Sequence, residues 1–198
     1  KPGLDLLSGA RLLAWTTTPW TLPTNFALAV GPKISYVLVP AGPNGASDGG
    51  AAGCAFYILA ASLLANHSKD LGYENEDKAK DAVLAEYLGE QLGGLRYRRI
   101  FDYYSDASKF DVAQAWQVLV DEYVADTEGT GIVHQAPAYG EDDQRICNAA
   151  GIPTYVSINE RGEFNYLPGE TVTFFLGALE FPTIPAKNIV TPMDMGQT

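Results

Sequence analysis

Short runs rich in Val, Ile, Leu, Tyr and Trp alternate with turn-forming residues along most of the chain, a pattern typical of β-strands. Apolar residues recur at helical spacing in only two segments, 77–92 and 141–150, and each segment is followed by glycine. Many short strands with two helices predict an α+β fold with a curved or closed sheet. The runs that predict strands are residues 11–16, 26–30, 35–39, 55–59, 97–103, 117–124 and 131–135.

The overall composition suits one domain with its own core. Hydrophobic residues make up 46% of the 198 residues and charged residues only 19%, which argues against disorder. No apolar run approaches the ~20 residues that a membrane-spanning helix needs, and no signal-peptide pattern follows Lys1. We therefore expect residues 1–198 to be a single domain cut from a longer protein, without membrane contact. Residues 40–53, rich in Gly, Ala, Pro, Asn and Ser, are expected to form a flexible loop.

The charge balance is acidic, with 24 Asp and Glu against 13 Lys and Arg and a net charge of −11. A free-standing nucleic-acid-binding domain usually has a basic balance, so this chain should bind nucleic acid weakly unless a larger protein supplies basic surface. The two cysteines, Cys54 and Cys147, lack the spacing of metal ligands. We interpret them as buried residues of a protein in a reducing, cytoplasmic compartment.

The first stretch that carries candidate chemistry is WTTTPWTLPTN, residues 15–25. Thr16, Thr17 and Thr18 leave a predicted strand and meet a proline, which stops the ladder because it lacks the N–H donor. Their hydroxyls can then face a ligand, while Trp20 offers a flat surface and Asn25 offers both a donor and an acceptor. A Thr-rich strand that packs a Pro-Trp turn on the core would explain the same residues.

The second stretch is GTGIVHQAPAYGEDD, residues 129–143. His134 ends a short apolar strand, and Asp142 and Asp143 fall in the first turn of the second predicted helix. There the helix dipole favours a charged carboxylate, which is a natural partner for an ammonium group. Simple stabilisation of the helix start, together with a hydrogen-bonded core histidine, is the alternative explanation.

Together the two stretches resemble the signature segments of the editing insertion in isoleucyl-tRNA synthetases, and the resemblance covers about residues 11–169. In the leucine and valine relatives an Arg commonly follows the two threonines. Here a third threonine, Thr18, follows them and precedes Pro19-Trp20, which indicates the isoleucine enzyme. The sequences HQAP at 134–137 and RIFDYY at 99–104 resemble those of the eukaryotic cytosolic branch.

The resemblance implies a β-barrel core with peripheral helices, and an enzyme that hydrolyses Val-tRNA(Ile). Thr16, Thr17, Thr18, His134 and Asp143 would form the catalytic pocket. In it the threonines would hydrogen-bond the aminoacyl group and terminal adenosine. His134 would exclude isoleucine, and Asp143 would bind the α-ammonium group. The remaining substrate-binding residues implied by the resemblance are Trp20 and Asn25.

Three positions depart from the family pattern. Gln144 stands where a Tyr is usual, and Tyr139 stands where many bacterial members have His. Residues 170–198 lack the charged helix expected there, so the placement of this tail stays open.

No Ser or Cys nucleophile is paired with a base, which favours direct attack by water on the ester without a metal or cofactor. Gly45-Ala46-Ser47-Asp48-Gly49 matches G-x-S-x-G, but it lacks the flanking strand and helix of a nucleophile elbow. Nucleotide-binding loops and the HIGH and KMSKS signatures of amino-acid activation are absent from the sequence.

The expected partners are the 3′ end of tRNA(Ile) carrying valine and the remainder of the parent synthetase, and the expected state is a monomer. Valyl-adenylate is a second candidate substrate. The competing hypothesis is a non-catalytic module that contacts tRNA or other domains. The basic run at 96–99 would serve either hypothesis as a phosphate contact, although a solvated strand face is the favoured explanation.

Overall fold

The computed structural model describes residues 5–43, 56–162 and 189–192. Within these ranges the chain forms eight strands and four α-helices. The strands are β1 (Ala10–Ala14), β2 (Ala27–Val30), β3 (Ser35–Pro40), β4 (Phe56–Ala60), β5 (Ala85–Leu88), β6 (Gln117–Val120), β7 (Ile132–Gln135) and β8 (Ile189–Pro192). The helices are α1 (Leu64–His67), α2 (Glu76–Asp81), α3 (Gly89–Leu92) and α4 (Glu141–Ala149).

Five strands form the larger sheet, in the order β5-β3-β4-β1-β8. Strand β1 runs parallel to β4 and antiparallel to β8, and the remaining neighbours are antiparallel. Successive side chains point to opposite faces, so Leu12 and Ile58 pack into the core between the two sheets. Leu13 and Leu59 instead pack on the opposite face, with residues of α1 and α2.

The smaller sheet has the order β6-β2-β7, with β2 parallel to β6 and antiparallel to β7. All four residues of β2 are fully buried, because the strand is covered by the first sheet on one face and by α4 and its neighbouring loops on the other. The alternating Ala residues of this strand, Ala27 and Ala29, leave room on the α4 side for larger partners such as Ile146.

The two sheets meet at a seam of hydrogen bonds. The amide of Trp15 donates to the carbonyl of Ile132 over 3.2 Å, and the amide of Ala60 donates to the carbonyl of Thr130 over 2.9 Å. Gly131 lies in this seam with φ +72°, and a Cβ there would lie 2.5 Å from the Cβ of Ala60. Only glycine fits both the backbone conformation and the close approach.

The α+β class is confirmed, and six of the seven predicted strands are present. The described residues form two sheets joined at the seam, not a closed barrel. Strand β8 pairs with β1, so residues 189–192 of the tail add an edge strand. The rest of the tail, residues 44–55 of the predicted loop, the G-x-S-x-G match and Cys54 lie outside the described residues.

Two sequence predictions were wrong. The helix predicted over 77–92 is divided into α2, the strand β5 and the short α3, since β5 pairs antiparallel with β3. The strand predicted over 97–103 is mostly irregular: the amide of Tyr97 donates to the carbonyl of Trp116 over 3.0 Å beside an isolated bridge, and the pairing does not continue beyond it. The second predicted helix is confirmed as α4.

Candidate functional site

A cleft of about 560 Å³ opens beside the seam. Its walls come from the segment that follows β1, from the turn and strand at 127–136, and from the start of α4. Five of the predicted site residues line it. They are Thr16, Thr17, Thr18, His134 and Asp143.

The threonine segment leaves the sheet directly after Trp15. Thr16 Oγ1 accepts a hydrogen bond from the amide of Thr18 over 3.0 Å, which forms a tight local turn. A short 3-10 helix, Pro19–Thr24, begins immediately afterwards, with proline in its first position where no N–H is required. Thr17 and Thr18 are exposed, so their hydroxyls are available to a ligand in the cleft.

His134 is 6% exposed, and both of its ring nitrogens are hydrogen-bonded. Nδ1 lies 2.8 Å from Asn25 Nδ2, and Nε2 lies 2.9 Å from Thr21 Oγ1. The Asn25 amide also donates to the carbonyl of Ala27 over 3.0 Å, which fixes Nδ2 as the atom that faces His134. Nδ1 must therefore accept, and Nε2 carries the proton and donates to Thr21.

This network keeps the imidazole neutral. Burial lowers the pKa of His134 to about 4, because the charged form would lose its hydration. The chain of bonds continues on both sides: Tyr97 donates to Asn25 Oδ1 over 2.6 Å, and Thr21 donates to the carbonyl of Thr18 over 2.9 Å. His134 is thus a fixed, uncharged part of the cleft wall.

Asp143 lies in the first turn of α4, and its Oδ2 accepts the amide of Ala136 over 2.8 Å. A Cβ at Gly140 would lie 2.9 Å from Asp143 Cγ, so any larger residue at this position would displace the carboxylate. Burial raises the pKa of Asp143, and the neighbouring Asp142 raises it further, so these two effects outweigh the backbone hydrogen bonds at the helix start, which lower it. A cation in the cleft would reverse that penalty.

Trp20 and Asn25 do not line the cleft. Trp20 is 40% exposed and packs edge-on against Tyr139, with 4.9 Å between ring centroids. Asn25 is buried behind His134 and holds its ring. Of the departures from the family pattern, Tyr139 lines the cleft and Gln144 is exposed on α4.

Sequence reasoning missed several residues that complete the site. Thr21 orients His134, Tyr97 orients Asn25, and Tyr123 and Glu128 line the cleft. Thr21 could have been identified from the sequence, because it belongs to the same stretch as the three threonines and follows Thr18 by three residues. The others come from distant segments.

The basic run at 96–99 is mostly occupied by contacts within the chain. Arg96 donates to the carbonyls of Ala113 and Ala115, and Arg99 pairs with Asp102 and lies 5.0 Å over the ring of Trp116. Arg98 is exposed. The run therefore supplies little free positive surface.

Within the described ranges, no cluster of three or more His, Cys, Asp and Glu side chains could hold a metal ion. None of the described helices has the length and apolar character needed to cross a bilayer. Cys147 is buried, as expected.

No protein-family model matches the chain. The isoleucine–tRNA ligase of Leifsonia xyli is 54% identical over 163 residues, which are 80% of this chain and 15% of that protein. The ligase of Tropheryma whipplei is 45% identical over 159 residues, 80% of this chain and 14% of that protein. Most of this chain is homologous to a segment of isoleucine–tRNA ligase. It spans less than a sixth of the length of these relatives.

Among solved structures, the editing domain of the P. falciparum cytosolic leucyl-tRNA synthetase matches with a TM-score of 0.51 at 17% identity, over 70% of this chain and 44% of that chain. A version with deletions of insertions 1 and 3 matches with a TM-score of 0.50 at 16% identity, over 74% of this chain and 54% of that chain. The chain therefore has the editing-domain fold of the class I synthetases.

The expected eukaryotic cytosolic branch is not supported, because the isoleucine–tRNA ligases described above are bacterial. The sequences HQAP at 134–137 and RIFDYY at 99–104 therefore do not identify the branch of the family.

Proposed function

We propose that this chain is a hydrolytic editing domain that removes valine from Val-tRNA(Ile), with valyl-adenylate as a second candidate substrate. The observation that supports the proposal is the cleft, which is lined together by three threonines, a neutral histidine and a half-buried aspartate from separate segments. A passive module would need none of these at one place.

The electrostatics of the cleft suit an aminoacyl ester. Among the described residues that line it, Glu128 and Asp143 are acidic and none is Lys or Arg. The α-ammonium group of valine can pair with Asp143, whose carboxylate is fixed by the amide of Ala136. The ester carbon would then lie near the threonine segment, where hydroxyls and backbone amides can orient water.

His134 is unsuited to act as a general base. Its Nδ1 lone pair is taken by Asn25, and its Nε2 already carries the proton that it donates to Thr21. A rigid ring at the cleft wall can instead select by size. A synthetic pocket discriminates poorly against a substrate that lacks one methylene, isoleucine and valine being the familiar example of this limit. A second, smaller pocket admits valine and excludes isoleucine.

The test is deacylation of Val-tRNA(Ile) and Ile-tRNA(Ile) by the full protein that contains the chain. We expect rapid hydrolysis of the valyl ester only. Thr17→Val and Thr18→Val should lower that rate, whereas Thr154→Val, which lies outside the cleft, should not. A passive module would give no enzyme-dependent rate for either ester.

We also propose that hydrolysis needs no metal or cofactor, so a strong chelator should leave the rate unchanged. Loss of activity that added zinc restores would contradict this. The proposed setting is the cytoplasm, where the domain acts as a monomer within its parent synthetase. That parent would supply the basic surface for tRNA that this acidic chain lacks.

A further inference from the structure

Tyr123 lines the cleft, although no sequence motif indicated it. It follows β6 in a turn, where its amide donates to Asp121 Oδ1 over 3.1 Å. Arg145 of α4 binds both carboxylate oxygens of the same Asp121 at 2.9 Å. The turn that carries Tyr123 is therefore fixed to the helix that carries Asp143.

The hydroxyl of Tyr123 has a defined direction of hydrogen bonding. Gln135 Nε2 lies 2.5 Å from the phenol oxygen, and it also lies 3.2 Å from the carbonyl of Val133 and 3.3 Å from that of His134. Two carbonyl acceptors identify this atom as the amide nitrogen. The phenol oxygen must then accept the bond from Gln135, and its own proton remains for another acceptor.

The phenol also keeps that proton. Burial raises the pKa of Tyr123 further above neutrality, and the carboxylates of Asp143, Asp142 and Asp121 act in the same direction. Since no Lys or Arg lines the cleft among the described residues, negative charge that develops there must be stabilised by neutral donors. Tyr123 is such a donor.

We propose that Tyr123 is a catalytic residue that donates a hydrogen bond to the carbonyl oxygen of the aminoacyl ester as water adds. This inference rests on the proposed function. If Asp143 holds the α-ammonium group, the carbonyl is one bond away from the carbon that bears it, so a donor on the neighbouring wall can reach it. The bond strengthens as the carbonyl oxygen becomes an oxyanion.

The step balances without a covalent enzyme intermediate. The water oxygen forms the new bond to the carbonyl carbon, and the bond to the ribose oxygen breaks. The leaving ribose oxygen takes up a proton that originates from the water, and the valine carboxyl group forms. The Tyr123 proton stays on the phenol throughout.

The test compares three variants of the full protein in single-turnover deacylation of Val-tRNA(Ile). Tyr123→Phe should lower the maximal rate about 100-fold, as loss of one oxyanion donor typically does, with KM unchanged. Tyr73→Phe is the matched control, since that hydroxyl donates to the carbonyl of Pro40 away from the cleft. It should keep the wild-type rate.

A third variant separates chemistry from folding. Tyr123→Phe alone leaves Gln135 Nε2 without one of its partners. The double variant Tyr123→Phe/Gln135→Leu removes both members of that hydrogen bond, and it also removes Gln135 Oε1, which is buried without a partner. Replacing both partners by apolar groups can restore stability. We expect Tm to recover in the double variant while the rate stays low.

Recovery of the rate together with Tm would show that the hydroxyl is only structural, and a wild-type rate in Tyr123→Phe would overturn the inference directly. Either result leaves the proposed function intact, because the wild-type protein still hydrolyses the valyl ester. A wild-type protein without any rate overturns both.

Discussion

The replacement His134→Ala tests whether selectivity in the cleft is steric. The ring is buried, and its two nitrogens are held by Asn25 and Thr21. Removing it leaves a space in the cleft wall where the additional methylene of isoleucine can fit. The variant should therefore hydrolyse Ile-tRNA(Ile), which the wild-type protein should spare.

The contacts set the size of the effect. Forcing a methylene into a filled space costs ~1–3 kcal/mol, which corresponds to about 5-fold to 150-fold protection of the correct product. The stability cost is of similar size, because the Asn25 amide loses one acceptor while keeping Ala27, and an unsatisfied buried donor costs ~1–3 kcal/mol. Most domains of this size tolerate such a loss, so the variant should remain folded.

The assay is the ratio of deacylation rates for the isoleucyl and valyl esters on the same tRNA. Thr21→Val is the control, since it removes the hydrogen bond to Nε2 and keeps the ring in the wall. We expect the ratio to rise towards one in His134→Ala and to stay at its wild-type value in Thr21→Val.

Two results would refute the steric explanation. If both rates collapse in His134→Ala and their ratio is unchanged, the histidine takes part in the chemistry. If Thr21→Val raises the ratio as much as His134→Ala does, the hydrogen-bond network and not the volume of the ring determines selectivity.

Three further predictions concern the acid and the histidine. Asp143→Asn should lower hydrolysis of Val-tRNA(Ile) at least ~10-fold, because a charge-assisted contact to the substrate is lost. The Tm at neutral pH should stay equal or rise, because burial disfavours the charged carboxylate. A fall in Tm and rate together would assign Asp143 to stabilising the helix. Gly140→Ala should also lower the rate, since the new Cβ displaces the Asp143 carboxylate, and a wild-type rate would contradict this. As pH falls from ~6.5 to ~4, His134 takes up a proton in the unfolded chain but not in the folded chain. The free energy of unfolding, measured in urea, should therefore fall by up to ~3 kcal/mol over this range. His134→Gln should lose this part of the pH dependence, and an identical dependence in both proteins would show that other groups cause it.

Much of the sheet structure could be predicted because its signal is local. The run at 26–30 is apolar throughout, and β2 is buried on both faces. The error at 77–92 arose because Val83 and Tyr87 have helical spacing, whereas the conformation of β5 is decided by pairing with β3. A partner that is distant in sequence overrides local spacing, and no window of the sequence contains that partner.

The candidate site shows the same division. Thr16–Thr18, His134 and Asp143 could be grouped in advance because two stretches resemble a known family, and the structure places them around one cleft. Their roles in hydrolysis stay predictions. The partners that fix these groups could not be predicted, since Tyr97 and Tyr123 come from other segments and carry no motif.

The seam between the sheets gives the cleft a spectroscopic reporter. The amides of Trp15 and Ala60 each donate to a carbonyl across the seam. Their protons therefore reach solvent only when the two sheets separate. The acceptors of those protons, Ile132 and Thr130, themselves line the cleft. Hydrogen–deuterium exchange at these two amides therefore measures how often the cleft walls part, and a ligand that bridges the walls should slow it whether or not that ligand can be hydrolysed.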